Sequence, residues 1–324
     1  MKKIGSIILI AMLCLALFGC GRTTFVYKNA DKYTMGGSEL GDKIEALEIE
    51  WIDGSVTVEY HSESTVKFSE TSKQPLIDDA VMRWWLDGTT LHLKYAASNV
   101  ILPSGLNKHL TVYIPENFEF ESVEISTVSG SISFEKMSAK TAELSAVSGS
   151  VDASGSAGNL NMSSVSGTVN AEFETKTATL ENISGNINFS AMSDIENLKI
   201  QTVSGFIDAR TKDINNGKIE TTSGKLTFEC EKAGEKLDIS SVSGTITVDC
   251  TEVPSILDLE TVSGNINLSI PENSGMTATI DTVSGKINTE IAMTINGSKY
   301  ICGDGSSTAS IETVSGRVTI RAKD

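Results

Sequence analysis

The chain has 324 residues, a formal net charge of −16, 40% hydrophobic residues, 6% aromatic residues and five cysteines. The apolar fraction is too high and the charge too dilute for a disordered chain. The acidic balance argues against a nucleic-acid or anionic-membrane surface, because phosphate contacts need clustered Lys and Arg. All three His (His61, His92, His109) and all three Trp (Trp51, Trp84, Trp85) lie before residue 110. Two-thirds of the chain therefore has no imidazole for catalysis or metal binding. By length the chain could hold two domains or one large all-β domain.

Lys2 and Lys3 precede an uncharged stretch from Ile4 to Phe18. This is the positive and then apolar pattern of a secretory signal, too short for a comfortable transmembrane helix. It ends in Leu17-Phe18-Gly19-Cys20, which resembles the lipobox of bacterial lipoproteins. The resemblance implies a signal peptide over 1–19, cleavage before Cys20, a diacylglyceryl group on its sulfur, and a membrane anchor on the extracytoplasmic side of the envelope. Two acyl chains hold a protein far more durably than one. After such processing Cys230, Cys250 and Cys302 remain, too few for a disulfide scaffold. Residues 21–43 are mixed polar and read, with Cys20, as a tether.

Residues 44–122 read as a first coil and an N-terminal cap. Leu47 to Val58 alternates around Asp53-Gly54. Met82 to Leu86 and Leu91 to Tyr95 flank Asp87-Gly88, a hairpin signal. Pro103-Ser104-Gly105 is loop, and Leu110 to Ile114 another alternating strand. Such a cap would close an end that otherwise invites aggregation.

Residues 123–324 are a repeat. One pattern recurs, with small departures, ten times: aliphatic, any, small polar, Val, Ser, Gly, any, aliphatic. The glycines are Gly130, Gly149, Gly167, Gly185, Gly205, Gly224, Gly244, Gly264, Gly285 and Gly316, spaced by 18 to 21 residues except for a last interval of 31. Apolar residues five before and two after each Gly share a face by the period of two. The Gly allows a corner, since it reaches positive φ at little steric cost. One such turn cannot bury its apolar side, but stacked turns can. The expected fold is all-β: a parallel β-helix or β-solenoid of about 20 residues per coil, right-handed as parallel crossovers are, continuous with its N-terminal cap. The short third side absorbs the varied spacing. A hairpin around Asn296-Gly297, rejoined through the turn Gly303-Asp304-Gly305, accounts for the long interval. Three residues after each Gly a polar ladder, from Ser133 and Asp152 to Thr319, should face solvent.

Few residues suggest chemistry. Cys230 and Cys250 are one coil apart, in phase with inward residues, and are candidates for a disulfide or for buried thiols. Trp84 and Trp85 point to opposite faces of a strand, and an exposed one could hold a partner. Asp78-Asp79 lies in a polar excursion where solvation suffices. No catalytic triad, nucleotide motif, cofactor motif or calcium repeat is present in the sequence.

The coil at Leu47–Val58, the strand Leu110-Thr111-Val112-Tyr113-Ile114-Pro115, the Thr-Val-Ser-Gly turns and Tyr300-Ile301-Cys302-Gly303-Asp304-Gly305 resemble the DUF4097 family of bacterial envelope proteins, proposed adhesins with a β-strand repeat. The likeness covers about residues 44–324. It implies a right-handed parallel β-helix, a surface or envelope location and no established catalytic residues. The expected function is a non-catalytic interaction surface, adhesin-like or scaffolding, held at the membrane through Cys20 and facing a protein or glycan at the cell surface. The alternatives are an accessory or sensor component in envelope-stress signalling or export, and a glycan-acting enzyme.

Overall fold

A computed structural model describes residues 24–323. They are mostly strand, and divide into two compact units, the first ending at Asn170 and the second beginning at Ala171. Each unit is a parallel β-solenoid whose rungs pair residue for residue.

In the first unit, Ala46–His61 pairs in parallel with Phe120–Ser148, Gly54 beside Gly130, and Phe120–Ser148 pairs in turn with Val151–Ser166. The coil grammar read at Leu47–Val58 is thus a true rung, with Asp53 in register with Ser129. Inward positions stack Val56 on Ile132 and Ile132 on Val151, all fully buried. Each such aliphatic contributes about 1.5–3 kcal/mol by leaving water. A register shift falls between Phe134 and Met137, on the short third side, where unequal coil lengths are absorbed.

The outermost rung of this unit comes later in sequence. Thr90–Lys94 and Lys108–Pro115 pair in parallel with the two halves of Ala46–His61, on the side away from Phe120–Ser148. The stack then stops by turning antiparallel: Arg83–Asp87 folds on Thr90–Lys94 through the predicted Asp87-Gly88 hairpin, and Val66–Thr71 covers Lys108–Pro115. Antiparallel strands consume the open parallel edge.

From Thr24 on, the stretch expected to be a tether is instead part of this cap. Thr24–Phe25 pairs with Val100–Ile101, Thr34–Met35 with Arg83 and Trp84, and Ser38–Leu40 with Val66 to Phe68. Short polar strands escape a search for apolar alternation, because their bonds go to edges and not to the core.

The second unit repeats the arrangement. Rungs at Gly185, Gly205, Gly224, Gly244 and Gly264 follow one another in order. The order then breaks. Ser307–Ser315 and Arg317–Ala322, the coil of Gly316, insert between the coil of Gly264 on one side and that of Gly285 on the other. The outer coil is covered by Lys299–Cys302, antiparallel to Met276–Thr282, and the predicted Asn296-Gly297 hairpin lies there. The hairpin is where the spacing placed it, but the chain after it does not extend the stack. It returns inside.

The corner glycines are needed for closeness more than for left-handed torsion. A Cβ on Gly244 would overlap the carbonyl oxygen of Gly224, and one on Gly264 that of Gly244. Only some of the corner glycines have a positive φ, such as Gly224 at 137°. Gly244→Ala should therefore cost about 3 kcal/mol through forced separation of two rungs. Gly297→Ala, at a φ of 63° with open space around it, should cost about 1 kcal/mol. Urea melts of the two variants test the ranking.

Candidate functional site

Two surfaces and one buried pair stand out. The first lies on the cap. Tyr33 sits edge-on to Tyr27 at 4.9 Å and to Trp85 at 5.7 Å, and Trp85 stacks on His92 at 5.3 Å between centroids. Lys32 Nζ lies 4.5 Å over the Trp85 ring. His92 Nδ1 is 3.0 Å from Glu48, and Lys94 Nζ lies 2.8 Å from Glu48 and 2.7 Å from Glu50. Burial raises the Glu48 carboxyl, but the Lys94 hydrogen bond and charge outweigh it and hold it below its ordinary value. Burial, with Glu48 and Glu50 nearby, pushes the Tyr33 hydroxyl up. Trp84 leaves on the other face and packs on Phe68 at 5.6 Å. Both tryptophans are half-buried, each engaged within the cap.

The second surface is the corner of the second unit. Alternation that turns Leu259 and Thr261 inward turns Val262 out. The same holds in neighbouring coils: Val242 is 50% exposed, Val262 45%, Val314 47% and Val283 81%, and Phe206 in an earlier coil is 58% exposed. Serines before the glycines, Ser243, Ser263, Ser315 and Ser284, border this column and are also exposed. Meanwhile Ser241, Thr261 and Thr313 are buried. The motif valine was visible in the sequence, and counting by twos from the inward aliphatic would have placed it outside. The polar ladder three residues after each Gly faces outward as expected, half-exposed at Asp208, Thr227, Thr247 and Asn267.

Cys230 and Cys250 are in register on adjacent strands, buried, with their Sγ atoms 3.0 Å apart as unbonded thiols. The Cys230 hydrogen bond and burial push the Cys250 thiol well up. Thiols held protonated in a core are inert. Alkylation of the native protein should spare both, whereas alkylation in denaturant without reductant should modify them, read by intact mass. Cys20 and the signal segment lie outside the described residues. Asp78 and Asp79 form a 3-10 turn, Asp78–Ala80. Gly303-Asp304-Gly305 is a turn in which Asp304 Oδ1 accepts from Ser306 N at 3.1 Å. Among the described residues no group of three or more His, Cys, Asp or Glu could hold a metal ion, and no described helix is long and apolar enough to cross a membrane.

Solved structures with similar chains share low identity. A proposed adhesin from Parabacteroides distasonis has 11% identity and a TM-score of 0.40, covering 90% of this chain and 97% of that one. A proposed adhesin from Bacteroides fragilis has 13% identity and a TM-score of 0.34, covering 90% and 97%. A proposed lipid-binding protein from Parabacteroides distasonis has 16% identity and a TM-score of 0.35, covering 89% and 96%. None of the curated proteins matches the chain. The Toastrack DUF4097 family matches residues 44–172 and again 153–321, the span built from the Gly-cornered coils, and the chain belongs to that family.

Proposed function

We propose that this protein is a lipid-anchored, extracytoplasmic β-solenoid that works as a non-catalytic interaction surface, adhesin-like or scaffolding, at the cell envelope. The observation that carries the reading is the exposed apolar column Val242, Val262, Val314 and Val283 on successive coils. Exposed contiguous apolar patches rimmed by polar residues mark interaction sites. A repeated one presents the same chemistry at strand spacing, about 4.8 Å per coil. The acidic remainder of the surface suits a protein or neutral glycan more than a polyanion. Anchoring rests on Leu17-Phe18-Gly19-Cys20.

One experiment with two arms tests this. Cells carrying the full chain should adhere to a glycan and matrix-protein panel, and a Val242→Asp, Val262→Asp, Val314→Asp variant should lose about tenfold of that adhesion at unchanged surface level. Cys20→Ala should move the protein out of the membrane fraction. Adhesion indifferent to the valine changes would overturn the surface reading. Recovery of one stoichiometric membrane protein in its place would favour the accessory or sensor role.

A further inference from the structure

The strand Thr24–Phe25 follows the proposed anchoring position closely in sequence. Cys20 precedes Thr24 by four residues, which reach at most about 14 Å when fully extended. Thr24 is already in a strand, paired with Ile101, and Phe25 with Val100. The ribbon is fixed to the cap: Asn99 N donates to Phe25 O at 2.6 Å, Tyr27 N to Ser98 Oγ at 3.1 Å, and the Tyr27 hydroxyl to Ala96 O at 3.1 Å. The Tyr27 ring also packs on Phe25 at 5.3 Å. From Thr24 on, the chain is held to the cap.

The outward side of this ribbon is apolar. Phe25 and Val100 turn inward and are half-buried. By alternation Val26 and Ile101 share the opposite face as diagonal neighbours, 67% and 58% exposed. Ile77, 54% exposed, leads into the turn Asp78–Ala80, which is tied to the segment just before the ribbon's second strand by the bond from Ala97 N to Asp79 O at 3.0 Å.

Resting on the lipidation of Cys20 proposed above, we infer that the ribbon of residues 24–27 and 98–101 is a membrane seat: Val26 and Ile101 contact the lipid leaflet that holds the anchor, and the cap lies directly on the bilayer. The occupant is a lipid leaflet because the acyl chains on Cys20 enter it within reach of these two side chains. Asp78 and Asp79 beside Ile77 make this a contact of apolar tips with the interface and not an attraction to anionic headgroups.

The test uses the full chain, processed in cells, in native membranes. Val26→Cys and Ile101→Cys are compared with Glu135→Cys, an exposed position in the same unit, for labelling by a bulky membrane-impermeant maleimide. The native Cys230, Cys250 and Cys302 are buried. The seat variants should label about tenfold more slowly than the Glu135 variant in membranes and equally fast in detergent. Equal rates in membranes overturn the seat and leave the anchor standing. Shielding that persists in detergent overturns it in favour of a protein cover. Wild-type protein absent from the membrane fraction overturns the anchor and the seat together.

Discussion

Truncation before Ser307 should unfold the second unit. If the coils were stacked in chain order, removing the last one would merely expose the one before it. Here the last coil is interior. Ile311 lies between Leu259 and Ile280, and Val318 between Ile266 and Ile287. Ile311, Val318 and Ile320 are fully buried. Losing the three side chains forfeits about 4.5–9 kcal/mol of burial, comparable to the 5–15 kcal/mol that a whole domain commonly has. It also splits the outer coil from its support. Hydrogen exchange should show amide protection lost across Ile256–Ser263 as well as Met276–Thr282. A truncated chain that kept Ile256–Ser263 protected would contradict the inserted order. A gentler form of the same test is Ile311→Ala, expected to cost about 3 kcal/mol by leaving a cavity. Val283→Ala at 81% exposure should cost less than about 0.5 kcal/mol. Burying Ser307–Ser315 and Arg317–Ala322 also ties both strands into the core, where fraying would expose two faces at once.

How the residues read explains what was legible. The Ser-Gly corners repeat at nearly constant spacing, and the apolar residues around them alternate, so the rung and its inward face could be read directly. The order of rungs could not. Every coil carries the same inward aliphatics, so the coil of Gly316 fits on that of Gly264 as well as on that of Gly285. Local pattern has no term for which neighbour is chosen. Only the interval of 31 and the long excursion between Gly54 and Gly130 hinted that the ends differ from the middle. The strands within 24–40 were missed because they are short and bond to edges. Outward Val242 and Val262 were absorbed into a motif whose hydrophobicity suggested core. Trp and His gather in the cap for a physical reason: at a free end the stack needs large side chains to plug it, while inward positions of the inner rungs take an aliphatic or, as at Phe134, Phe173 and Phe228, a single phenyl ring.

That plug carries the largest single-residue effect expected in the first unit. Lys108 stands at the corner of the outermost rung, in register with Gly54, and alternates in phase with the buried Leu110, Val112 and Ile114. Its side chain is fully buried, with Nζ 2.6 Å from Glu70 and donating to Ala80 O at 2.6 Å and also to Tyr95 O. The ammonium lies 4.2 Å over the Tyr95 ring and 5.0 Å from that of Trp51, whose Nε1 donates to Lys108 O at 3.0 Å. Burial pulls the Lys108 ammonium below its ordinary value, against the opposing pull of Glu70. A buried pair is weak evidence for net stability, but breaking one half strands the other. Glu70→Ala should therefore cost about 3–5 kcal/mol and free the Met82 amide that Glu70 now accepts from at 2.7 Å. Lys108→Met with Glu70→Leu, apolar and of similar volume, should recover most of that loss. The sign of the pH dependence follows from the lysine. A folded-state value depressed below the unfolded one makes the charged form a liability, so the pair's contribution is fullest above the unfolded value and falls as pH drops through the folded one. The double variant should lose that dependence. Urea melts of the single and double variants across alkaline pH measure both effects, and a Glu70→Ala chain as stable as wild type would mean that the cap is held by its aromatic packing alone.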